Sequence, residues 1–221
     1  MGEGTSSVIG VLDLQGDVAE HLDHLARLGI EGMPVKEPAA LSGLAGLIIP
    51  GGESTCLARL MHTFGIAQAI GNEFRRGMKV WGTCAGAILM AREVVGEVPC
   101  LGLIDLVIER NSFGSQLDSF VREAVIPGIS EEPLPLVFIR APKILRVGPG
   151  VKDLLQIDDY IAAAESGEAL VTVFHPEMTA SVAFHRYFAR KCGLNPYGPD
   201  RQPDVDPKWI TTSWTRLARI I

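Results

Sequence analysis

The chain is poor in every feature that would tie it to a membrane, a secretory route or a structural metal. Its four cysteines, at positions 56, 84, 100 and 192 of 221, are too sparse for a disulfide framework and form no C-x-x-C pair. No apolar run approaches the ~18–20 residues that span a bilayer. The segment Met1 to Ser7 lacks the basic residues and apolar stretch of a secretory signal. Positive charge is also scarce. With 20 Lys and Arg against 26 Asp and Glu, the formal net charge is −6, which argues against phosphate-backbone binding as the main activity. Neither H-E-x-x-H nor a clustered ligand set marks a metal site. These absences set aside a membrane protein, a secreted knot, a nucleic-acid binder and a zinc module. The expected setting is a reducing, cytoplasmic one.

What is present suits a globular α/β chain. With 47% hydrophobic and 21% charged residues, it has enough apolar surface for a substantial core. Val8 to Leu14 reads as a buried strand ending at Gly16. Asp17 and Glu20 then have the spacing of a capping box, and Val18, Leu22, Leu25 and Leu28 follow at helical spacing until Gly29. Leu44 to Ile49 reads as a second strand, Thr55 to Arg76 as one long helix and Lys79 to Trp81 as a third strand. Strand, helix, strand, helix, strand is the pattern of parallel pairing through right-handed crossovers. It predicts a mostly parallel open sheet flanked by helices. Further strands are expected over Leu101 to Arg110, Phe120 to Ile126, Leu136 to Arg140 and Ala169 to Phe174, the last forming a hairpin with Tyr160 to Ala164. Phe184, Tyr187 and Phe188 indicate a helix packed on the sheet. We read one domain over residues 1–192 and a tail over 193–221. In the tail, four prolines deny regular structure until about Lys208, and Trp209, Ile210, Trp214 and Leu217 could line a short helix. That tail either covers an apolar patch of its own domain or docks a partner.

Three short motifs carry chemistry. Gly82-Thr83-Cys84-Ala85-Gly86 follows a strand and precedes a helix, where a nucleophile sits at a strained turn that demands small neighbours. The helix start favours thiolate over thiol, and the Ala85 N–H falls where an oxyanion would develop. Alone, the motif equally fits a buried, inert cysteine. Phe174-His175-Pro176-Glu177 offers a base and its orienting acceptor from one turn. The other histidines, His21, His24, His62 and His185, lie in helical patterns and read as surface or helix-face residues, with His21 held open because of its position near a strand end. Pro50-Gly51-Gly52-Glu53-Ser54 places two glycines at a strand's carboxyl end, where ligands collect in open parallel sheets. It is not a P-loop, because no Gly-Lys-Ser/Thr follows. Together the motifs describe acyl transfer through a thioester. Cys84 attacks a carbonyl, His175 shuttles the proton, Glu177 orients the imidazole, and amides at Gly52 and Ala85 hold the oxyanion.

These residues resemble a class I (triad) glutamine amidotransferase, with the flavodoxin-like three-layer fold of that group. More narrowly, they are similar to the glutaminase subunits of pyridoxal 5′-phosphate synthases. The resemblance runs from about Val8 to Lys191. It rests on the three motifs, on Leu14-Gln15-Gly16-Asp17 with Glu20-His21, on Glu109-Arg110-Asn111-Ser112-Phe113-Gly114, on Asp118-Ser119-Phe120 and on Val137-Phe138-Ile139-Arg140-Ala141-Pro142. Ile88 stands where other triad amidotransferases usually have Gln. The resemblance implies hydrolysis of L-glutamine to glutamate and ammonia. The ammonia would pass to a (β/α)8 synthase subunit in a hetero-oligomer, which makes pyridoxal 5′-phosphate from ribose 5-phosphate and glyceraldehyde 3-phosphate. No cofactor is implied in this chain. The resemblance assigns Gly52, Glu53, Ser54, Arg110, Ile139 and Arg140 to glutamine binding. Arg110 and Arg140 also suit a substrate carboxylate on chemical grounds, each ending a predicted strand. Gln15, Asp17, Glu20 and His21 are implied near the synthase interface. Asp13, Cys56, Ser115 and Val121 depart from the usual family pattern, and none touches the triad. A reactive-cysteine stress protein or peptidase, and a degenerate assembly module, are the other readings. The first needs neither His175 nor the arginines, and the second gives no reason to keep all three triad residues.

Overall fold

A computed structural model describes residues 7–110 and 119–197. The motif positions Asn111 to Gly114, Ser115 and Asp118 lie outside the described residues, as do the tail positions from 198 onward. The elements run β1 (Val8–Leu12), α1 (Val18–Arg27), β2 (Glu31–Val35), β3 (Gly46–Ile49), α2 (Ser54–Thr63), α3 (Ile66–Arg75), β4 (Lys79–Thr83), α4 (Ala85–Met90), β5 (Ala91–Val94) and β6 (Ile104–Glu109). Then come β7 (Ser119–Ile126), β8 (Ser130–Ile139), β9 (Lys143–Val147), β10 (Lys152–Ile157), β11 (Tyr160–Glu165), β12 (Ala169–Thr172) and α5 (Ala183–Lys191).

Ten strands form one sheet in the order β2-β1-β3-β4-β12-β11-β9-β6-β5, with β10 paired on β11. Its functional half, β2-β1-β3-β4-β12, is parallel throughout. The remainder is mixed, and β7–β8 form a separate antiparallel ribbon. The parallel strands are short apolar runs because helices cover both faces. β3, Gly-Leu-Ile-Ile, and β12, Ala-Leu-Val-Thr, are buried at every position. Since β1, β3, β4 and β12 are neighbours and point the same way, the turns that follow them meet along one edge.

The structure refines several elements. β2 was missed because Glu-Gly-Met-Pro-Val carries no alternating pattern; it is an edge strand, where Pro34 is tolerated. The long helix expected over 55–76 is two helices, broken at Gly65, whose φ of 72° is left-handed. β5, β9 and β10 also escaped notice, being short and partly polar. The hairpin of β11 with β12 is present, pairing Ala163 with Thr172 and Glu165 with Leu170. The capping box does not form: Asp17 occupies the N-cap of α1, yet its side chain makes no capping hydrogen bond. Past the expected boundary at 192, Leu194 still packs on the core, and the Tyr197 N–H donates to the Leu28 carbonyl at 2.9 Å.

Between α1, α5 and the sheet lies a layer of rings. Trp81 of β4 meets His185 edge-on at 4.9 Å and His21 at 5.7 Å, and Phe184 and Phe188 close its other sides. His21, His24 and His185 are therefore interior residues, which overturns the surface or helix-face reading for His24 and His185 and places His21, whose position the sequence leaves open; only His62 of the four is exposed. Helical periodicity did not separate them from surface positions, because histidine counts as polar in such patterns. His24 sits between the carbonyls of Glu20 and Thr179. Burial pushes His21 down to about 4, lowers His185 well below the usual histidine range, and lowers His24 against the opposing pull of its two carbonyls.

Two predictions follow from this packing. Gly86→Ala should cost about 1–3 kcal/mol in urea unfolding, because the new methyl would run into the Ile49 carbonyl. Gly43→Ala, left-handed but facing open space, should cost only the backbone strain of ~1–2 kcal/mol. The second prediction concerns acid. His21 and His185 stay neutral in the fold but take up protons when unfolded below about pH 6.5. Their contribution to stability is thus complete above that pH and is lost progressively towards pH 4. His175, whose folded value is raised, holds its proton in both states below pH 6.5 and adds little slope there. Urea unfolding at pH 5 should therefore give a stability lower than at pH 7 by at least about 2 kcal/mol. A flat profile would show that the buried rings titrate within the folded chain.

Candidate active site

Cys84 stands between β4 and α4 with φ 48° and ψ −103°, a conformation that L-residues rarely adopt. The turn exists because the residues two positions to either side, Gly82 and Gly86, have no side chains. A Cβ on Gly82 would lie 2.5 Å from the Gly86 carbonyl, and one on Gly86 would strike the Ile49 carbonyl at the end of β3. The Cys84 N–H is anchored to the Thr172 carbonyl of β12 at 2.8 Å, and its own carbonyl accepts from Ala87 and Ile88. Its side chain is 8% exposed, with Sγ 4.0 Å from the Ile139 carbonyl.

His175 arrives after β12 and is fixed by its own N–H, which donates to Val137 of β8 at 2.8 Å. Its Nδ1 donates to Glu177 Oε1 at 2.7 Å within the turn Pro176 to Met178. The Nε2 has no hydrogen-bond partner among the described residues, which leaves it for the thiol side. Burial disfavours the imidazolium, but the charges of Cys84 and Glu177 and contacts from Asp17 and Cys84 outweigh it, so His175 is raised well above the usual range. Burial likewise works against the Glu177 carboxylate, and His21 and His175 overcome it, leaving Glu177 lowered. Glycine matters here too: a Cβ on Gly51 would lie 2.5 Å from the imidazole Cε1. Gly16, with φ 108°, abuts the Gly51 carbonyl in turn, which locks the turn after β1 onto the turn after β3.

A cleft of about 520 Å³ opens at this edge, lined by Gln15, Asp17, Glu20, Gly52, Glu53, Cys84, Ile139, Arg140, His175 and Met178. Most of the expected site residues thus converge. Glu53 caps α2, accepting from Thr55 N at 3.0 Å and Cys56 N at 2.6 Å. Burial opposes its charge, yet these amides and Arg110 lower its carboxyl. Gly52, with φ 147°, lies beneath the Gln15 side chain, whose Oε1 accepts weakly from Glu53 N at 3.4 Å. Arg140 lines the cleft in a left-handed conformation, φ 45°, at the end of β8.

Three expected residues are placed otherwise. Arg110 is not on the cleft wall; its guanidinium spans Glu97 at 2.8 Å, Thr55 at 3.1 Å and Glu53 at 3.4 Å. Ser54 is buried at the start of α2 and does not line the cleft either. His21, expected at a partner surface, is fully buried behind Glu177, so it cannot touch a partner there. The ring layer needed that position for packing on Trp81.

Sequence reasoning missed one neighbour, Met178, and did not foresee the contact that another, Asp17, makes. Asp17 brings a carboxylate oxygen to 3.5 Å from His175 Nδ1, and Met178 forms part of the wall. Adjacency to His175-Pro176-Glu177 was the available signal for Met178. Asp17 was expected near the synthase interface and in a capping box, and nothing in the sequence pointed to its contact with His175. Asp17, His175 and Glu177 each bring a potential metal-ligand atom within 4.8 Å of the others. The nitrogen concerned is the Nδ1 that already donates to Glu177, so that geometry is a relay before it is a ligand set. Among the described residues, no helix is long and apolar enough to cross a membrane.

Comparison with known proteins matches this arrangement. Residues 11–194 fit the model of the SNO glutamine amidotransferase family. The chain is 58% identical over 212 residues to the pyridoxal 5′-phosphate synthase subunit PdxT of Syntrophus aciditrophicus (strain SB), covering 96% of this chain and 95% of that one. It is 44% identical to the PdxT subunit of Deinococcus radiodurans over 86% of this chain and 99% of that one. A crystal structure of a glutamine amidotransferase superposes with a TM-score of 0.80 at 42% identity, covering 84% of this chain and 99% of its own. The PurLQS structure from Thermotoga maritima shares the fold alone, at a TM-score of 0.57 and 17% identity. A strained cysteine at a parallel-sheet edge, a buried His–Glu pair beside it and these likenesses agree, and the chain belongs to the SNO glutamine amidotransferase family.

Proposed function

We propose that this chain hydrolyses L-glutamine to L-glutamate and ammonia and delivers the ammonia to a (β/α)8 synthase subunit that makes pyridoxal 5′-phosphate. The observation that carries the reading is the His175 imidazole, held through Nδ1 by Glu177 while its Nε2 is left open beside the strained Cys84. The Cys84 thiolate attacks the side-chain amide carbon. The C=O electrons move to oxygen, which the Gly52 and Ala85 amides receive. Imidazolium gives its proton to the departing nitrogen, ammonia leaves, and a thioester remains on sulfur. Neutral His175 then takes a proton from water, hydroxide attacks the thioester, and glutamate departs as the proton returns. The reading requires no cofactor in this chain, and pyridoxal 5′-phosphate is the product of the assembly.

Substrate recognition follows from charge. Arg140 lines the cleft, and a guanidinium suits the α-carboxylate of glutamine. Arg110 acts one step back, steadying Glu53, which faces the cleft, while Ser54 starts the helix that Glu53 caps. The Ile139 carbonyl and Gly52 complete the binding surface. Gln15, Asp17 and Glu20 border the same cleft, so a synthase docking on that side would reach the site directly. The relatives named PdxT support the reading of the partner and product.

The test is glutamate release by the chain assembled with its synthase. Cys84→Ala should lower kcat by at least about 10³-fold, as expected for loss of a nucleophile. Arg140→Ala should raise KM by about 10- to 100-fold with a smaller change in kcat. Undiminished release from the Cys84 variant would overturn the mechanism.

A further inference from the structure

One buried carboxylate oxygen is left unexplained by the triad. Glu177 is 1% exposed, and its Oε1 accepts from His175. Its Oε2 is buried without a hydrogen-bond partner among the described residues. Such an atom is costly to maintain and calls for a donor. Facing it at 3.6 Å is Nε2 of His21, itself fully buried. The gap exceeds a hydrogen bond by roughly half an ångström, and catalytic contacts commonly tighten only when substrate binds.

The ring's surroundings choose its tautomer. His21 Nδ1 lies 2.8 Å from His185 Nε2, so one of these nitrogens donates and the other accepts. If His21 donated through Nδ1, its bare Nε2 lone pair would face the Glu177 carboxylate. The carboxylate therefore selects the opposite order. His185 Nε2–H donates to His21 Nδ1, and His21 carries its proton on Nε2, with Thr83 Oγ1 at 3.5 Å as a weaker neighbour. Burial keeps both rings neutral, so each holds a single N–H and the order is maintained. His24 and Asp17 from the same helix, Arg27, and His175 from the turn after β12 are the other charged or titratable groups acting on this pair.

We propose that His21 is a positioning residue of the relay: its Nε2–H, oriented by His185, is the donor that holds the second carboxylate oxygen of Glu177 while His175 is protonated. The inference rests on the glutaminase reading for its kinetic consequence, but not for its effect on the sulfur. Without that donor, the buried carboxylate is less well supported. Glu177 then holds imidazolium less firmly, and the thiolate forms at higher pH.

Two variants of the full chain test this. The amide N–H of His21→Gln reaches the place of Nε2, whereas that of His21→Asn reaches only the place of Nδ1. Both are polar and smaller than the ring; Asn leaves the larger gap, and a packing defect alone would lower its urea unfolding midpoint without moving the alkylation midpoint of Cys84. The pH midpoint for alkylation of Cys84 by iodoacetamide, followed on its own peptide by mass spectrometry, should rise in the Asn variant and stay near wild type in the Gln variant. In the assembled synthase, His21→Asn should lower kcat by about 10- to 100-fold with KM within about twofold, and His21→Gln should restore most of that loss. Identical behaviour of the two variants, or an unmoved midpoint in the Asn variant, would overturn the proposal. A midpoint that shifts as expected while the wild-type assembly releases no glutamate would support the role of His21 and refute the glutaminase reading.

Discussion

The backbone of Cys84 is the constraint on which the site depends. A non-glycine residue with φ 48° and ψ −103° stores roughly 1–3 kcal/mol, and it persists only where the surroundings over-determine it. Here they do so from several sides. Gly82 and Gly86 are pressed against each other, Gly86 rests on the end of β3, and the Cys84 N–H is bonded across to β12. The strain lifts the sulfur out of the sheet edge into the cleft shared with His175. A cysteine in ordinary strand geometry would point into one of the helix layers.

Parallel pairing then does the work of assembly. The turns after β1, β3, β4 and β12 have no sequence reason to be neighbours, yet the strand order places them side by side. The contact of Gly16 with Gly51, and of Gly51 with the His175 ring, lets those turns approach more closely than side chains would permit. The β7–β8 ribbon adds the last wall, with Phe138 stacked on Phe120 at 4.6 Å and the Val137 carbonyl holding His175 in place. Electrostatics completes the arrangement. The cationic tendency of His175 and the anionic tendency of Glu177 support each other in a buried place where neither charge would persist alone.

Much of this was legible in the sequence, and the failures have physical reasons. Short apolar runs ending in glycine revealed β1, β3 and β4, and the motifs beside them marked Cys84, Gly52 and His175. Strands such as β2 and β10 carry little hydrophobic pattern, because edge position rather than burial lets them pair. The break at Gly65 was hidden inside a continuous helical periodicity. Asp17 matched a capping signature, but its carboxylate lies against His175 instead, since tertiary proximity outweighs a local hydrogen bond. Arg110 had the right chemistry for a substrate carboxylate, and only the fold showed that Glu97 and Glu53 already engage it. Interior His24 and His185 were the deepest miss, and His21 stayed open, for polarity says nothing about burial when rings can satisfy one another.

The central claim is that one sulfur becomes covalently acylated during turnover. Acid-quenching the assembled enzyme while it consumes glutamine, then weighing the cysteine-containing peptides, tests this directly. A γ-glutamyl thioester confined to the Cys84 peptide is the predicted result. Sustained glutamate release with no adduct on Cys84 under conditions that preserve thioesters, or with the adduct on Cys56, Cys100 or Cys192, would contradict it.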